Sequence, residues 1–257
     1  MKRLLSKLGF GSAVEDVPHL VETASEGLNG AELAVAYFSG RAGGDFYEFV
    51  RVSPHRLLFG LLDIAGKRDD SRPILAAAQS CFRAGGAELF SSHELNEADA
   101  MIELARRLNR EIMRAAGGVR SCPAFAGCYN EELGTVCYVN AGHTPGLLCF
   151  DSDVSELPAT GMPFGLFAAS TYEAPTAAVP RGGALLLASR GVVEAARKRE
   201  EFGLERLKQH LGQTPLLSAH GVASDALQAV RQFTQAAASN NDLTTLALVR
   251  PARNGRA

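Results

Sequence analysis

The sequence predicts an α+β fold in which antiparallel sheets are layered with helices. Three observations carry that expectation. Short strand-like runs come in hairpin-ready pairs, split by turns such as Ser53-Pro54 and by a loop that holds Gly134. Helical patterns come in two blocks rather than alternating with single strands. A closing strand follows the second block. Strands in runs and helices in runs imply antiparallel layers, not a parallel sheet with crossover helices.

Taken in order, residues 1–27 read as a polar, helix-biased lead-in. Its opening, MKRLLSKLGF, is basic and amphipathic but too short, and without the apolar centre, for a signal peptide. It is expected to be a frayed helix or a weak docking segment. AELAVAYF (31–38), FYEFVRV (46–52) and RLLFGLLDI (56–64) read as strands. From Pro73 the pattern turns helical: ILAAAQSCFRAGGAELF (74–90) is Ala-rich and apolar at helical spacing. A second helix over 94–116 places Ala98, Met101, Ile102, Ala105, Leu108, Ile112 and Met113 on one face and ends at Gly117-Gly118. The charged RDDSR segment (68–72) between strand and helix reads as a solvated loop.

Strands return after Pro123 as AFAGCYN (124–130), TVCYVNA (135–141) and GLLCFD (146–151), followed by 153–159 and 182–189. A short helix is expected over 202–211 and a longer one within 214–238. LTTLALVR (243–250) closes as a strand, and residues 251–257 read as a disordered tail. No repeat and no linker divides residues 28–250, which are expected to form one domain.

Composition narrows the function. The 257 residues are 46% hydrophobic, typical of a globular core, and the formal net charge of −2 gives no electrostatic case for nucleic acid. The five Cys form no CxxC pair and sit mostly in apolar runs, so buried free thiols in a reducing cytoplasm are expected. No apolar run approaches the roughly 20 residues that span a bilayer, so no transmembrane segment is expected and the chain is expected to be cytoplasmic.

Chemistry concentrates in GGDFYE (43–48) and LLDIAGK (61–67). Each sets an Asp at the end of a hydrophobic run beside glycine. Asp45 and Asp63 are either ordinary turn residues or a pair that converges on a hard divalent cation, since Mg²⁺ and Mn²⁺ prefer oxygen ligands.

Seven segments then occur in one order: GGDFYE, DIAGK, VNAGHTP (139–145), GMPFGLF (161–167), LLLASRGVVEA (185–195), EEFGLERL (200–207) and NDLTTLALVR (241–250). Together they resemble the metal-dependent protein phosphatase (PPM) family, in its bacterial branch similar to sporulation stage II protein E. The resemblance covers about residues 28–250. It implies a four-layer αββα sandwich and two Mn²⁺ or Mg²⁺ ions. It also implies in-line attack of metal-activated water on phosphoserine or phosphothreonine. Asp45 matches a ligand of one ion, Asp63 the carboxylate shared by both, and the Ile64 carbonyl completes the first site. The His143 segment is implied to be structural, and Glu194 to cap or salt-bridge.

The second ion's ligands depart from the family pattern. Where the family reads T-D-G-V-x-E-A, this chain reads Ser189-Arg190-Gly191-Val192-Val193-Glu194-Ala195, and where it reads D-D-x-T, this chain reads Asn241-Asp242. Asn241 keeps an oxygen without charge, and its neighbour Asp242 completes the candidate ligand set. Arg190 has no acceptor and cannot ligate a cation. At ~4 Å and an effective dielectric near 20, each unit of charge product is worth about 4 kcal/mol, so a guanidinium in place of a carboxylate strongly disfavours the second ion. One ion rather than two is expected. Arg190 either neutralises Asp63 in the vacated place or binds a phosphate bidentately.

The resemblance therefore implies a phosphatase of a phosphorylated regulatory protein, such as an anti-anti-sigma factor, with weak turnover. Two other readings stay open: a pseudophosphatase that binds a phosphoprotein in partner switching, and a domain whose second site another chain completes. A homodimer is compatible with either.

Overall fold

The computed structural model describes residues 19–23, 28–40, 44–64, 68–236, 239 and 241–252. Its strands are β1 (His19–Thr23), β2 (Glu32–Phe38), β3 (Asp45–Ser53), β4 (Arg56–Asp63), β5 (Ala124–Asn130), β6 (Thr135–Ala141), β7 (Gly146–Phe150), β8 (Asp153–Leu157), β9 (Thr176–Ala178), β10 (Gly183–Ala188), β11 (Ala196–Arg197), β12 (Glu200–Glu201) and β13 (Leu243–Arg250). Its helices are α1 (Arg68–Leu89), α2 (Glu97–Ala116), α3 (Arg190–Val193), α4 (Gly203–Gln213) and α5 (Ala219–Thr234).

Two antiparallel sheets stack face to face, one ordered β1-β2-β13-β10-β7-β8 and the other β3-β4-β5-β6-β9. Helices α1 and α2 lie together on the second sheet, and α5 covers β2 and β13 of the first with α4 beside it. The result is the expected αββα sandwich, with the two helices of the first block on one outer face. Among the described residues, no helix is long and apolar enough to cross a membrane.

Strand β4 shows how the sequence sets these layers. Its side chains alternate: Leu58 and Leu62 pack under the α1–α2 layer with Phe82, Leu104 and Ile112, while Leu57, Phe59 and Leu61 pack between the sheets with Leu33, Phe125 and Leu246. A strand buried on both faces needs an unbroken apolar run, and RLLFGLLD supplies one. Phe125 stacks on Tyr138 with ring centroids 5.1 Å apart. A third cluster, with Leu186, Leu207, Val222 and Leu227, joins the first sheet to α4 and α5.

Several boundaries differ from expectation. The lead-in is a strand over His19–Thr23, paired antiparallel with β2, rather than helix. Residues 1–18 and 253–257, with their expected helix and tail, lie outside the described residues. Helix α1 starts at Arg68, so 68–72 is helix and not loop, and Pro73 lies inside it. A proline near the start removes one backbone bond and leaves the later turns intact. Helix α2 starts after Asn96, whose side chain accepts from the amides of Ala98 (3.0 Å) and Asp99 (3.3 Å). Its buried stripe is Ala100, Met101, Leu104, Ala105, Leu108, Asn109 and Ile112, rotated from the expected face. All five cysteines are free thiols, four of them buried.

Candidate functional site

The site forms where the two sheets meet at one end. Asp45 opens β3 and Asp63 closes β4, and the hairpin register sets them directly opposite one another. Like charges facing across a strand pair repel. The ladder continues past them, with the Ile64 amide donating to the Gly44 carbonyl at 3.2 Å. The Ile64 carbonyl oxygen lies so close to Gly44 that a Cβ there would stand 2.3 Å from it. Only glycine permits this approach.

The first sheet supplies the groups that hold Asp45. Thr244 of β13 donates its hydroxyl to Asp45 Oδ2 at 2.5 Å. Ser189, fully buried after β10, donates its amide to the Thr244 carbonyl (2.8 Å) and accepts the Thr244 amide (3.1 Å). Burial pushes the Asp45 carboxyl up to about 7, with Asp63 and Asp242 adding to the rise and the Thr244 and Ser189 hydroxyls opposing it. Burial also raises Asp63, against the pull of the Arg190 guanidinium, with Glu194 and Asp242 adding to the rise.

Arg190 opens the four-residue α3. Its Nε stands 3.5 Å from Asp63 Oδ2 and 3.7 Å from Glu194 Oε2. Gly191 lets α3 approach β13, since a Cβ there would lie 2.0 Å from the Asp242 carbonyl oxygen.

The structure thus brings together Asp45, Asp63, Ile64, Asp242 and Arg190. Asp242, expected among the ligands, turns both carboxylate oxygens to backbone amides: Oδ1 accepts from Gly40 (2.8 Å) and Oδ2 from Asp45 (3.4 Å). Asn241 stands beside the group and lines an adjoining cleft of about 220 Å³ with Glu194, Phe38 and Arg231. Sequence reasoning missed Ser189 and Thr244 as supports of Asp45. It also missed that Glu48 turns to helix α1, accepting from Gln79 (2.9 Å) and Arg83 (2.8 Å). The only available signal for Thr244 was its place in the N-D-L-T segment.

Asp45, Asp63 and the Ile64 carbonyl are hard oxygen donors at the open end of the β3–β4 hairpin, and two opposed carboxylates there call for positive charge; this set fits a hard divalent cation. Beside Asp63 on the α3 side the donors are poorer. Arg190, which has no acceptor for a cation, stands 3.5 Å from Asp63 Oδ2 there. Among the described residues, no three His, Cys, Asp or Glu side chains converge to hold an ion.

His143 is structural. Its amide donates to Asn140 Oδ1 (2.8 Å) and its Nδ1 to the Thr144 carbonyl (3.1 Å), while Thr144 donates its hydroxyl to the Ala188 carbonyl. Burial pushes the imidazole down to about 4, partly offset by the Thr144 bond. Its stabilising contribution is therefore full above the ordinary value of 6.5 and is lost as pH falls through about 4. H143Q should be less stable than wild type above pH 6.5. The gap in unfolding free energy should shrink by on the order of 3 kcal/mol across that window. A gap independent of pH would contradict a buried neutral imidazole.

Residues 53–251 match the family model described as Stage II sporulation protein E (SpoIIE). Phosphoserine phosphatase RsbP of Bacillus subtilis (strain 168) is 27% identical over 173 residues, which make up 67% of this chain and 41% of RsbP. The chain thus spans about two fifths of that relative's length. The solved RsbU and RsbW domains of Rv1364c from Mycobacterium tuberculosis superpose with a TM-score of 0.72 at 21% identity, covering 88% of this chain and 62% of that one. The catalytic domain of the serine threonine protein phosphatase PstP, solved with 2 manganese ions, superposes at 0.61 with 13% identity, over 85% of this chain and 98% of that one. At these identities the superpositions establish the shared fold.

Proposed function

The chain belongs to the SpoIIE family of PPM-type phosphatase domains, and on that premise we propose that it is a cytoplasmic partner-switching phosphatase of reduced activity. Its substrate is a regulatory protein, such as an anti-anti-sigma factor, phosphorylated on serine or threonine. Asp45, Asp63 and the Ile64 carbonyl would hold one Mn²⁺ or Mg²⁺ ion. Such an ion supplies Lewis acidity toward a phosphoryl oxygen and an activated water. Thr244 and Ser189 orient Asp45, and Asp242 fixes the start of β3. Arg190, with 46% of its side chain exposed, presents guanidinium donors to a phosphate entering from solvent.

The observation that carries this reading is the Arg190–Asp63 ion pair. It sets a permanent positive charge beside Asp63, which supports one ion over two. The same pair, with Asn241 at the other ligand position, favours the second reading: a pseudophosphatase that binds the phosphoprotein without hydrolysing it.

Calorimetric titration with Mn²⁺, paired with hydrolysis of a phosphoserine peptide, separates the two. Wild type should bind a single ion tightly, D45N and D63N should lose it, and turnover should be slow. One bound ion with no turnover selects the pseudophosphatase. Two tight ions in wild type would sink both readings.

A further inference from the structure

We propose that Arg190 is a two-position arm, resting on Asp63 in the free protein and moving to a phosphate monoester dianion on binding, so that phosphate and the divalent cation bind cooperatively. The inference rests on the one-ion reading above.

The geometry is that of a loose pair. At 3.5 Å from Asp63 and 3.7 Å from Glu194, Arg190 Nε is beyond the roughly 2.7–2.9 Å of a charge-assisted hydrogen bond. The two partners also differ in their dependence on each other. Only 10% of the Asp63 side chain is exposed, against 46% for Arg190. A buried carboxylate stripped of its partner is strongly destabilising, whereas an exposed guanidinium is readily hydrated. Asp63 therefore gains more from the pair than Arg190 does, and Arg190 can leave.

The arm can move without the backbone moving. Ser189 is tied to Thr244, and Gly191 is pressed against the Asp242 carbonyl, so α3 stays in place and the side chain alone swings. Glu194, four residues on, gives it a second carboxylate to lean on.

A guanidinium against Asp63 Oδ2 repels a divalent ion held by the same carboxylate. In the free protein the ion enters against that repulsion. A phosphate dianion gives Arg190 a better partner away from Asp63, and that lowers the cost of ion entry. By linkage, the ion favours phosphate by the same factor. Direct contact between ion and phosphate adds coupling of its own, which remains when Arg190 is removed.

Titration of Mg²⁺ into the full chain, with and without saturating inorganic phosphate, tests this. In wild type, phosphate should lower the Mg²⁺ Kd by about 5- to 150-fold, the usual span of coupling between sites. R190A and R190Q should each bind Mg²⁺ more tightly than wild type without phosphate, and each should show a smaller phosphate effect. Agreement between the truncated and the neutral long side chain distinguishes lost charge from local damage. Wild-type Mg²⁺ affinity in both variants, or an undiminished phosphate effect, overturns the arm and leaves the one-ion reading standing. No Mg²⁺ binding by wild type, R190A or R190Q overturns the one-ion reading and the arm with it.

Discussion

R190D/N241D should bind a second divalent ion and hydrolyse a phosphoserine peptide in Mn²⁺ at least about 100-fold faster than wild type, the scale on which one charge-stabilising group acts in catalysis. The exchange removes one positive charge and adds two negative ones. Both changes fall on one spot: the Asn241 Cβ lies 3.1 Å from where a Cβ on Gly191 would stand, next to Arg190. Asp63 is already there and would lose the guanidinium that now neutralises it. Calorimetric stoichiometry and a phosphopeptide assay check the result. A double variant that still binds one ion would mean the second position is closed by backbone and not by charge. Robust wild-type turnover that falls in the double variant would instead point to a one-ion mechanism, with Arg190 stabilising the transferring phosphoryl group.

Asp242→Ala should destabilise the protein by about 2–4 kcal/mol, because it strands two backbone amides that the carboxylate now accepts. These are Gly40 at 2.8 Å and Asp45 at 3.4 Å, and Asp242 itself is buried. The melting temperature should fall by roughly 5–15 °C. Mg²⁺ affinity should fall with it, since the Asp45 amide fixes the start of β3. Asp242→Asn should behave little better. Its amide oxygen can accept one backbone N–H, but its NH₂ would then face the other donor. A variant that melts with wild type would show that the strand ends are held by other bonds.

Much of the fold was legible in the sequence, for reasons that differ by element. Strand β4 is an apolar run buried on both faces, and β13 reads from Leu243 to Arg250 as it folds. Strands β1 and β9 escaped notice because they are short and owe their extended form to pairing with β2 and β6. The start of α1 was obscured by Pro73, which marks a boundary in most sequences and here does not. At the site, Asp45 and Asp63 were legible because each stands at one end of an apolar run with glycine nearby. That they face one another is a matter of hairpin register, which a run of residue types does not specify. Ser189, Thr244 and the amide-holding role of Asp242 arise only where two sheets meet, so no local pattern announces them.

The position of β13 has a consequence for how the protein is made. This strand follows all the others in the chain, yet it lies between β2 and β10 in the middle of its sheet. Until it is synthesised, β1–β2 and β10-β7-β8 have no shared neighbour, and that half of the sandwich cannot close. Thr244 sits on this strand, 199 residues from the Asp45 carboxylate it bonds. A nascent chain therefore carries both aspartates long before it can orient them. Pairings across such a separation are slow to form, so assembly of the sheet and competence of the site should arrive in a single late step.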